Sequence, residues 1–475
     1  MSNSIEEDMK QTAKQQTISP IDGSVYVERE LADQRLIDKT VELAVTSQRQ
    51  WRKVSLKERR NICLSMLTVF EENSEQIAEQ LTWMMGRPIQ YAKGEIAGMI
   101  ERAQYMIDAA PKALVDIELP EIEGFSRYIK QEPLGVAFVI APWNYPYLTA
   151  INSIIPAIMA GNAVILKHSA QTPLCAEQLA QAFTRAGLPA GVFQYLHLSH
   201  ADTENLIKQP KINYVSFTGS VAGGTMVENA ASGRFLSVGL ELGGKDPAYV
   251  RADADIDHAV ETCIDGAFFN SGQSCCAIER IYVASAVFDE FVSKATQLVN
   301  NYKLGRSDDP MTTLGPMIKT SAADIVREQI RDALDKGALA HIDASHFPMS
   351  EQGTPYLAPQ LLTNVDHSMA VMTEESFGPV VGIMKVANDD EAIALMNDSE
   401  FGLTASVFSR DVDAALAIGE QIETGTFFLN RCDYLDPALA WTGVKNSGRG
   451  CTLSSLGYQS LTRPKSFHLK LTSKK

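Results

Sequence analysis

No stretch of this 475-residue chain is apolar for long enough to cross a bilayer. The longest apolar runs, such as Val136 to Ile140, fall far short of the roughly 20 residues a membrane helix needs. Surplus basic charge is missing too. Forty-two Lys and Arg against 58 Asp and Glu leave a net charge of −16, which argues against the clustered cations of a nucleic-acid surface. Paired CxxC motifs are absent, so neither a structural zinc nor any other metal site is expected. The seven cysteines are odd in number and irregularly spaced, which fits free thiols in a reducing compartment. Met1 to Gln16 carries no apolar core of signal-peptide type, and Ser473-Lys474-Lys475 matches no sorting signal. The cytoplasm is the expected location. There is no internal repeat and no low-complexity segment. The first half contains no complete GxGxxG fingerprint.

What is present is an ordinary globular composition, 45% apolar and 21% charged, in a chain long enough for two or three packed domains. Met1 to Thr17 reads as a mobile tail, and Ile18-Ser19-Pro20-Ile21-Asp22-Gly23 as a turn into an extended segment. Leu31 to about Ala109 has helical periodicity (Ile37, Val41, Ala44; Ile62, Met66, Phe70; Ile77, Leu81, Met84), broken near Gly86-Arg87-Pro88. Then the period changes. The runs at 136–140, 163–166, 192–196 and 214–217 read as buried parallel strands separated by helices, the pattern of a doubly wound α/β sheet. A second alternating region spans Asp246 to about Asn446, with strand candidates at 280–283, 380–384 and 426–429. The acidic segment from Glu118 to Gln131 interrupts the alternation and suits an excursion from the core. Ser466 to Leu471 alternates well enough for a final strand.

Three segments carry chemistry. Phe269-Asn270-Ser271-Gly272-Gln273-Ser274-Cys275-Cys276 sets thiols in a small, polar loop. A lone cysteine is more often an apolar filler, but four polar neighbours would be expensive in a core. Leu240-Glu241-Leu242-Gly243-Gly244-Lys245 places a carboxylate among apolar neighbours, which raises its pKa and suits a general base. A glutamate on an exposed strand face is the plain alternative. Phe217-Thr218-Gly219-Ser220-Val221-Ala222-Gly223-Gly224 lies between a strand and a helix. It is a weak phosphate-loop signal that a simple β–α turn explains equally well.

Taken in this order, and followed by Glu374-Glu375-Ser376-Phe377-Gly378-Pro379, these segments resemble the aldehyde dehydrogenase family over nearly the whole chain, from about Ile18 onward. The resemblance implies a Rossmann-like cofactor domain (1–110 and 134–243), an α/β catalytic domain (244–445) and a small β oligomerisation arm (111–133 and 446–475). It implies Cys275 as nucleophile, with Cys276 a bystander because adjacent side chains diverge. Asn144, in Pro142-Trp143-Asn144-Tyr145-Pro146, would share the oxyanion with the Cys275 N–H. Glu241 would activate the water that hydrolyses the thioester. Trp143, Lys167, Ser169, Thr218, Gly219, Ser220, Gly224, Glu375 and Phe377 match cofactor-binding positions.

Asn430 matches the asparagine that supports the active-site loop, and Gly443, Lys445, Ser447 and Gly448 echo the family's C-terminal segment. Tyr145, Thr149 and Asn152 on one side, and Arg431, Asp433 and Leu435 on the other, would face the substrate. The family's lysine motif usually continues Pro-Ser-Glu, with that Glu on the ribose hydroxyls. Here it reads Lys167-His168-Ser169-Ala170, so NAD and NADP both stay open. Among aldehydes, a neutral apolar or aromatic one ranks above an anionic one, because Asp433 and Asp436 oppose Arg431. The enzymic alternative is an acylating semialdehyde dehydrogenase, disfavoured by Glu241. The non-enzymic one is a cofactor-binding scaffold, which should have lost Cys275, Asn144 or Glu241. A homodimer or homotetramer is expected, with neither nucleic acid nor membrane as partner.

Overall fold

The structure is a computed structural model that describes residues 13–471. Two sheets organise it. The first runs Gly448–Arg449, Ser237–Glu241, Tyr214–Thr218, Val136–Ala141, Ala163–His168, Phe193–Tyr195; its five long-range neighbours are parallel except for the Gly448–Arg449 edge. The second runs Leu339–Ala340, Gln360–Thr363, Val380–Val386, Ile278–Ala284, Asp246–Val250, Thr404–Phe408, Thr426–Leu429, and is parallel apart from its first strand. Both are covered by helices, the requirement for strands buried on both faces. Val136–Ala141 is buried at every position, as its uninterrupted apolar run predicts. A third sheet, Thr462–Lys470 with Phe125–Pro133 and Ile117–Glu118, stands apart as the expected excursion.

The helical region is four helices, Gln34–Trp51, Leu56–Glu72, Ser74–Met85 and Ile89–Ala113. The break at Gly86 is a left-handed C-cap with φ +79°. The Ile89–Ala113 helix packs along Pro146–Ala160, which begins with proline at a position that needs no N–H donor. No helix among the described residues is long and apolar enough to cross a membrane.

Two readings need correction. The tail expected from Met1 to Thr17 lies outside the described residues up to 12, but Lys14–Ile18 is a strand paired antiparallel with Val25–Glu30. Thr17 is buried and donates to the Ala170 carbonyl at 2.9 Å. Polar composition hid the strand because its stability comes from a ladder and a distant loop, not from its own apolar pattern. Gly448–Arg449, assigned by sequence to the arm, instead forms the edge of the first sheet beside Glu241.

Candidate active site and cofactor cleft

Asn144, Lys167, Thr218 and Glu241 all sit at the carboxyl ends of parallel strands in the first sheet, where open α/β sheets bind their ligands. Cys275 and Glu375 come from loops that enter strands of the second sheet at Ile278 and Val380. The two sheets thus present their loops to one cleft.

Two cavities meet at Cys275. One, of about 370 Å³, is lined among others by Tyr145, Thr149, Asn152, Glu241, Asp433 and Leu435. The other, of about 210 Å³, is lined among others by Trp143, Asn144, Gly219, Ser220, Glu375 and Phe377. Cys275, Thr149 and Thr218 belong to both. Of the residues singled out from sequence, Lys167, Ser169, Gly224 and Arg431 line neither. Arg431 is exposed, its guanidinium 3.8 Å from the Tyr434 ring centroid. Gly224 packs its helix against the sheet: a Cβ there would lie 2.6 Å from Leu242 Cδ2.

The nucleophile loop differs from expectation in one respect. Its polar residues are buried: Asn270, Ser271, Gln273 and Ser274 are each at most 6% exposed. They are tolerated because their polar groups are satisfied. Ser271 Oγ donates to the Gly315 carbonyl at 2.8 Å, Gln273 Oε1 accepts from Ile318 N at 2.7 Å, and Asn270 Nδ2 donates to the Gln273 carbonyl at 3.2 Å. Asn270 and Ser271 hold left-handed φ values of +53° and +57°. Asn144 Nδ2 reaches the same Gln273 carbonyl at 3.2 Å, which fixes its amide beside the loop. Cys275 is partly exposed. Cys276 also lines the larger cavity, contrary to the divergence expected of neighbours, but its thiol donates to Asp433 Oδ1 at 2.9 Å. The neighbouring Cys275, burial and Asp433 together push the Cys276 thiol well above its ordinary pKa.

Glu241 is held by two hydroxyls, Thr218 Oγ1 at 3.1 Å and Thr452 Oγ1. Burial raises its pKa, against the opposing pull of those donors. Gly244 explains the spacing of the Glu-Leu-Gly-Gly-Lys motif: a Cβ there would sit 2.2 Å from the Cys275 carbonyl oxygen. Lys245 then turns inward to pair with Glu279 at 2.7 Å, fully buried. Glu279 accepts the Ser376 and Phe377 N–H groups at 2.8 Å each, so one buried ion pair locks the loop that carries Glu375. Glu375 itself accepts from Gly244 N at 3.1 Å, and burial with Glu279 nearby lifts its pKa to about 7. Ser447 Oγ donates to the Gly243 carbonyl at 2.7 Å and pins the same turn from the C-terminal segment. Asn430 brackets Ser409, accepting its N–H at 2.9 Å and donating to its carbonyl at 2.8 Å.

Sequence reasoning missed Arg87, Arg102, Glu279 and Thr452. Arg87 is 2% exposed, ion-paired with Glu95, and donates to the Asn144 carbonyl at 2.6 Å. The Gly86-Arg87-Pro88 break was visible, but nothing local showed that its arginine reaches a strand end in another layer.

The cleft fits a dinucleotide. Gly219 and Gly223 lie over Phe217, and a Cβ at either would come within 2.7 Å and 2.5 Å of its ring. The loop therefore needs glycine at both positions, and Ser220 between them caps the Val221–Ala231 helix by accepting the Gly223 N–H at 3.2 Å, at a helix N-terminus whose dipole favours phosphate. His168 is buried between Pro146 O at 3.2 Å and Thr172 Oγ1 at 3.0 Å, and burial drives its pKa down to about 3. It is neutral, with each ring nitrogen committed to one of these partners. Among the described residues no group of acidic, histidine and cysteine side chains could hold a metal ion.

Around one cleft lie a partly exposed thiol, a desolvated carboxylate and a glycine-punctuated loop at a helix N-terminus, a set of groups that suits a cofactor-dependent dehydrogenase. The chain belongs to the aldehyde dehydrogenase family, whose model matches residues 7–467. It is 34% identical to a succinate-semialdehyde dehydrogenase [NADP(+)] of Deinococcus radiodurans over 94% of this chain and 93% of that protein. It is 31% identical to succinate-semialdehyde dehydrogenase [NADP(+)] 1 of Mycobacterium tuberculosis over 93% and 96%. Among solved structures it resembles succinic semialdehyde dehydrogenase from Streptococcus pyogenes in complex with NADP+ (TM-score 0.91, 29% identity, 96% of this chain and 100% of that one). It also resembles the NADP-dependent glyceraldehyde-3-phosphate dehydrogenase of Bacillus halodurans (TM-score 0.91, 30% identity, 97% and 96%). The protein is an NAD(P)-dependent enzyme that oxidises an aldehyde to the carboxylate through a cysteine thioester.

Proposed function

We propose that Cys275 is the nucleophile of this oxidation, and the carrying observation is its position where the two cavities meet. Its thiolate adds to the aldehyde carbon, and the oxyanion that forms is received by Asn144 Nδ2 and the Cys275 N–H. Thr218, Gly219 and Ser220 would cradle the phosphates of the bound cofactor and Glu375 and Phe377 would hold its nicotinamide ribose, while Trp143 packs edge-on against Phe377 with centroids 5.8 Å apart. The bound nicotinamide supplies the hydride acceptor. Glu241 then takes a proton from a water that attacks the thioester carbon; the C–S bond breaks, the thiolate returns and the carboxylate leaves. Tyr145, Thr149, Asp433 and Leu435 wall the substrate cavity.

NADP is the cofactor we assign. The support is the NADP dependence of the relatives, the absence of an acidic side chain at Ala170, and Lys167 and Ser169 at the end of the Ala163–His168 strand. We assign 1–110 with 134–243 to a cofactor unit, 244–445 to a catalytic unit, and 111–133 with 446–475 to an oligomerisation unit, except that the Gly448–Arg449 strand goes with the first sheet. The arm leaves Ile117 and Leu469 exposed on its two edge strands, and such edges seek partners; we assign a homo-oligomer built through it. Seven free cysteines fit the cytoplasm.

The assignment of the nucleophile is tested with Cys275→Ser and Cys276→Ser. The first should fold, bind NADPH and lose oxidation of every aldehyde. The second should keep turnover. The reverse outcome would transfer the role to Cys276.

A further inference from the structure

The substrate cavity contains two polar groups that the chemistry at Cys275 does not use. Arg102, on the Ile89–Ala113 helix, is 9% exposed and lines the cavity. Its Nη1 donates to the Leu148 carbonyl at 3.1 Å. Among the described residues no carboxylate lies within ion-pair distance of it, in contrast to Arg87, which Glu95 neutralises. Burial lowers the Arg102 pKa, yet a guanidinium stays charged in a protein. A desolvated cation without a paired anion is expensive.

Asn152 is the second group. It is 2% exposed, lines the same cavity, and both its Oδ1 and Nδ2 lack a hydrogen-bond partner. A buried amide satisfied at neither end is the rare case that calls for a ligand. Both groups line one cavity, and Arg102 docks on the carbonyl of Leu148, which lies one turn before Asn152 on the Pro146–Ala160 helix. Gly98 makes the approach possible: a Cβ there would fall 2.9 Å from Leu148 Cδ2, so the helices close together one turn before Arg102.

We propose that Arg102 and Asn152 form a carboxylate-recognition pair that makes short aldehydes bearing a terminal carboxylate the preferred substrates. This rests on the assignment of Cys275 as nucleophile in the same cavity, and it reverses the ranking drawn from Arg431, which lies outside. Charge-assisted bonds from a guanidinium, completed by an amide N–H, suit a planar carboxylate. The carboxylates in reach limit the gain without cancelling it. Glu95 is committed to Arg87, Glu241 is held by Thr218 and Thr452, and Asp433 accepts the Cys276 thiol with its pKa lifted by burial to about 7.

The test compares kcat/KM for succinic semialdehyde, butanal and glyceraldehyde 3-phosphate in wild type, Arg102→Met and Asn152→Leu, with NADPH binding as the check on folding. Wild type should favour succinic semialdehyde over butanal by at least about tenfold. Arg102→Met should collapse that ratio by about 10- to 100-fold, mainly through KM, and Asn152→Leu by about tenfold. Succinate should inhibit wild type competitively against the aldehyde, which reads the site even where a variant fails to fold. A wild type that favours butanal, ignores succinate, or keeps its ratio in a folded Arg102→Met refutes the pair. A preference for the phosphorylated aldehyde refutes the carboxylate. Inactivity toward all three aldehydes would instead strike the assignment of Cys275.

Discussion

Glu241→Gln separates the two halves of the reaction. In the structure the carboxylate accepts from Thr218 and Thr452 and from no third group among the described residues. The glutamine side chain keeps the shape and one acceptor, but its NH2 group faces a hydroxyl that must turn to accept. That rearrangement is worth about 1 kcal/mol, so the fold should survive. What is lost is the proton acceptor. General-base catalysis contributes about 10²- to 10⁴-fold, and the steady-state rate should fall by that factor while acylation at Cys275 continues. Rapid mixing with NADP and an aldehyde should give a burst of about one reduced cofactor per active site, then near-silence.

The pH dependence has a definite sign. Burial raises the Glu241 pKa, so the basic form is lost on the acid side at a pH above the ordinary carboxylate range. The acid limb of kcat should lie there in wild type and vanish from the residual turnover of the variant. An unchanged steady-state rate, or a turnover loss with no burst because the first hydride transfer is itself slow, would remove Glu241 from the deacylation step.

Three further outcomes are expected. Thr452→Val removes one of the two donors that favour the Glu241 anion, so the acid limb of kcat should move upward by about one pH unit; a limb that stays in place means Thr452 does not tune the base. Ala170→Glu brings a carboxylate toward the adenosine ribose and should weaken NADP relative to NAD by about tenfold, read from the ratio of their kcat/KM values; equal loss of both would show that another group guards that pocket. Light scattering at micromolar concentration should give a dimer or tetramer, and a Phe467→Glu change on the arm, where Phe467 stacks on Tyr128 with centroids 4.7 Å apart, should shift it toward monomer; a wild-type monomer would overturn the assembly.

The carboxyl-end residues were legible in sequence because each sits beside a signal that is itself local. Val136–Ala141 is an unbroken apolar run, so the turn carrying Asn144 is located by where the run stops. Glu241 stands out because apolar residues flank it and two glycines follow. The second of those glycines shows why motif spacing survives reading without coordinates: only a missing Cβ lets the Cys275 backbone pass. The strand at Lys14–Ile18 was not legible, because its hydrogen bonds go to partners outside its own pattern.

What the sequence determined by itself was the chemistry: a thiol, an amide and a carboxylate in order along two alternating α/β regions. Tertiary structure decided which other groups share their space. Arg102 and Asn152 lie on helices whose surfaces read only as amphipathic or apolar, and they line one cavity because the Ile89–Ala113 and Pro146–Ala160 helices pack with Gly98 at the contact and Arg102 on the Leu148 carbonyl. Arg431, which the sequence placed facing the substrate, instead stacks on Tyr434 and does not line the cavity. The physical reason is the same in both cases. Helical and strand periodicity fixes the direction of a side chain within its own element, whereas the distance between two charges is set by how separate elements pack.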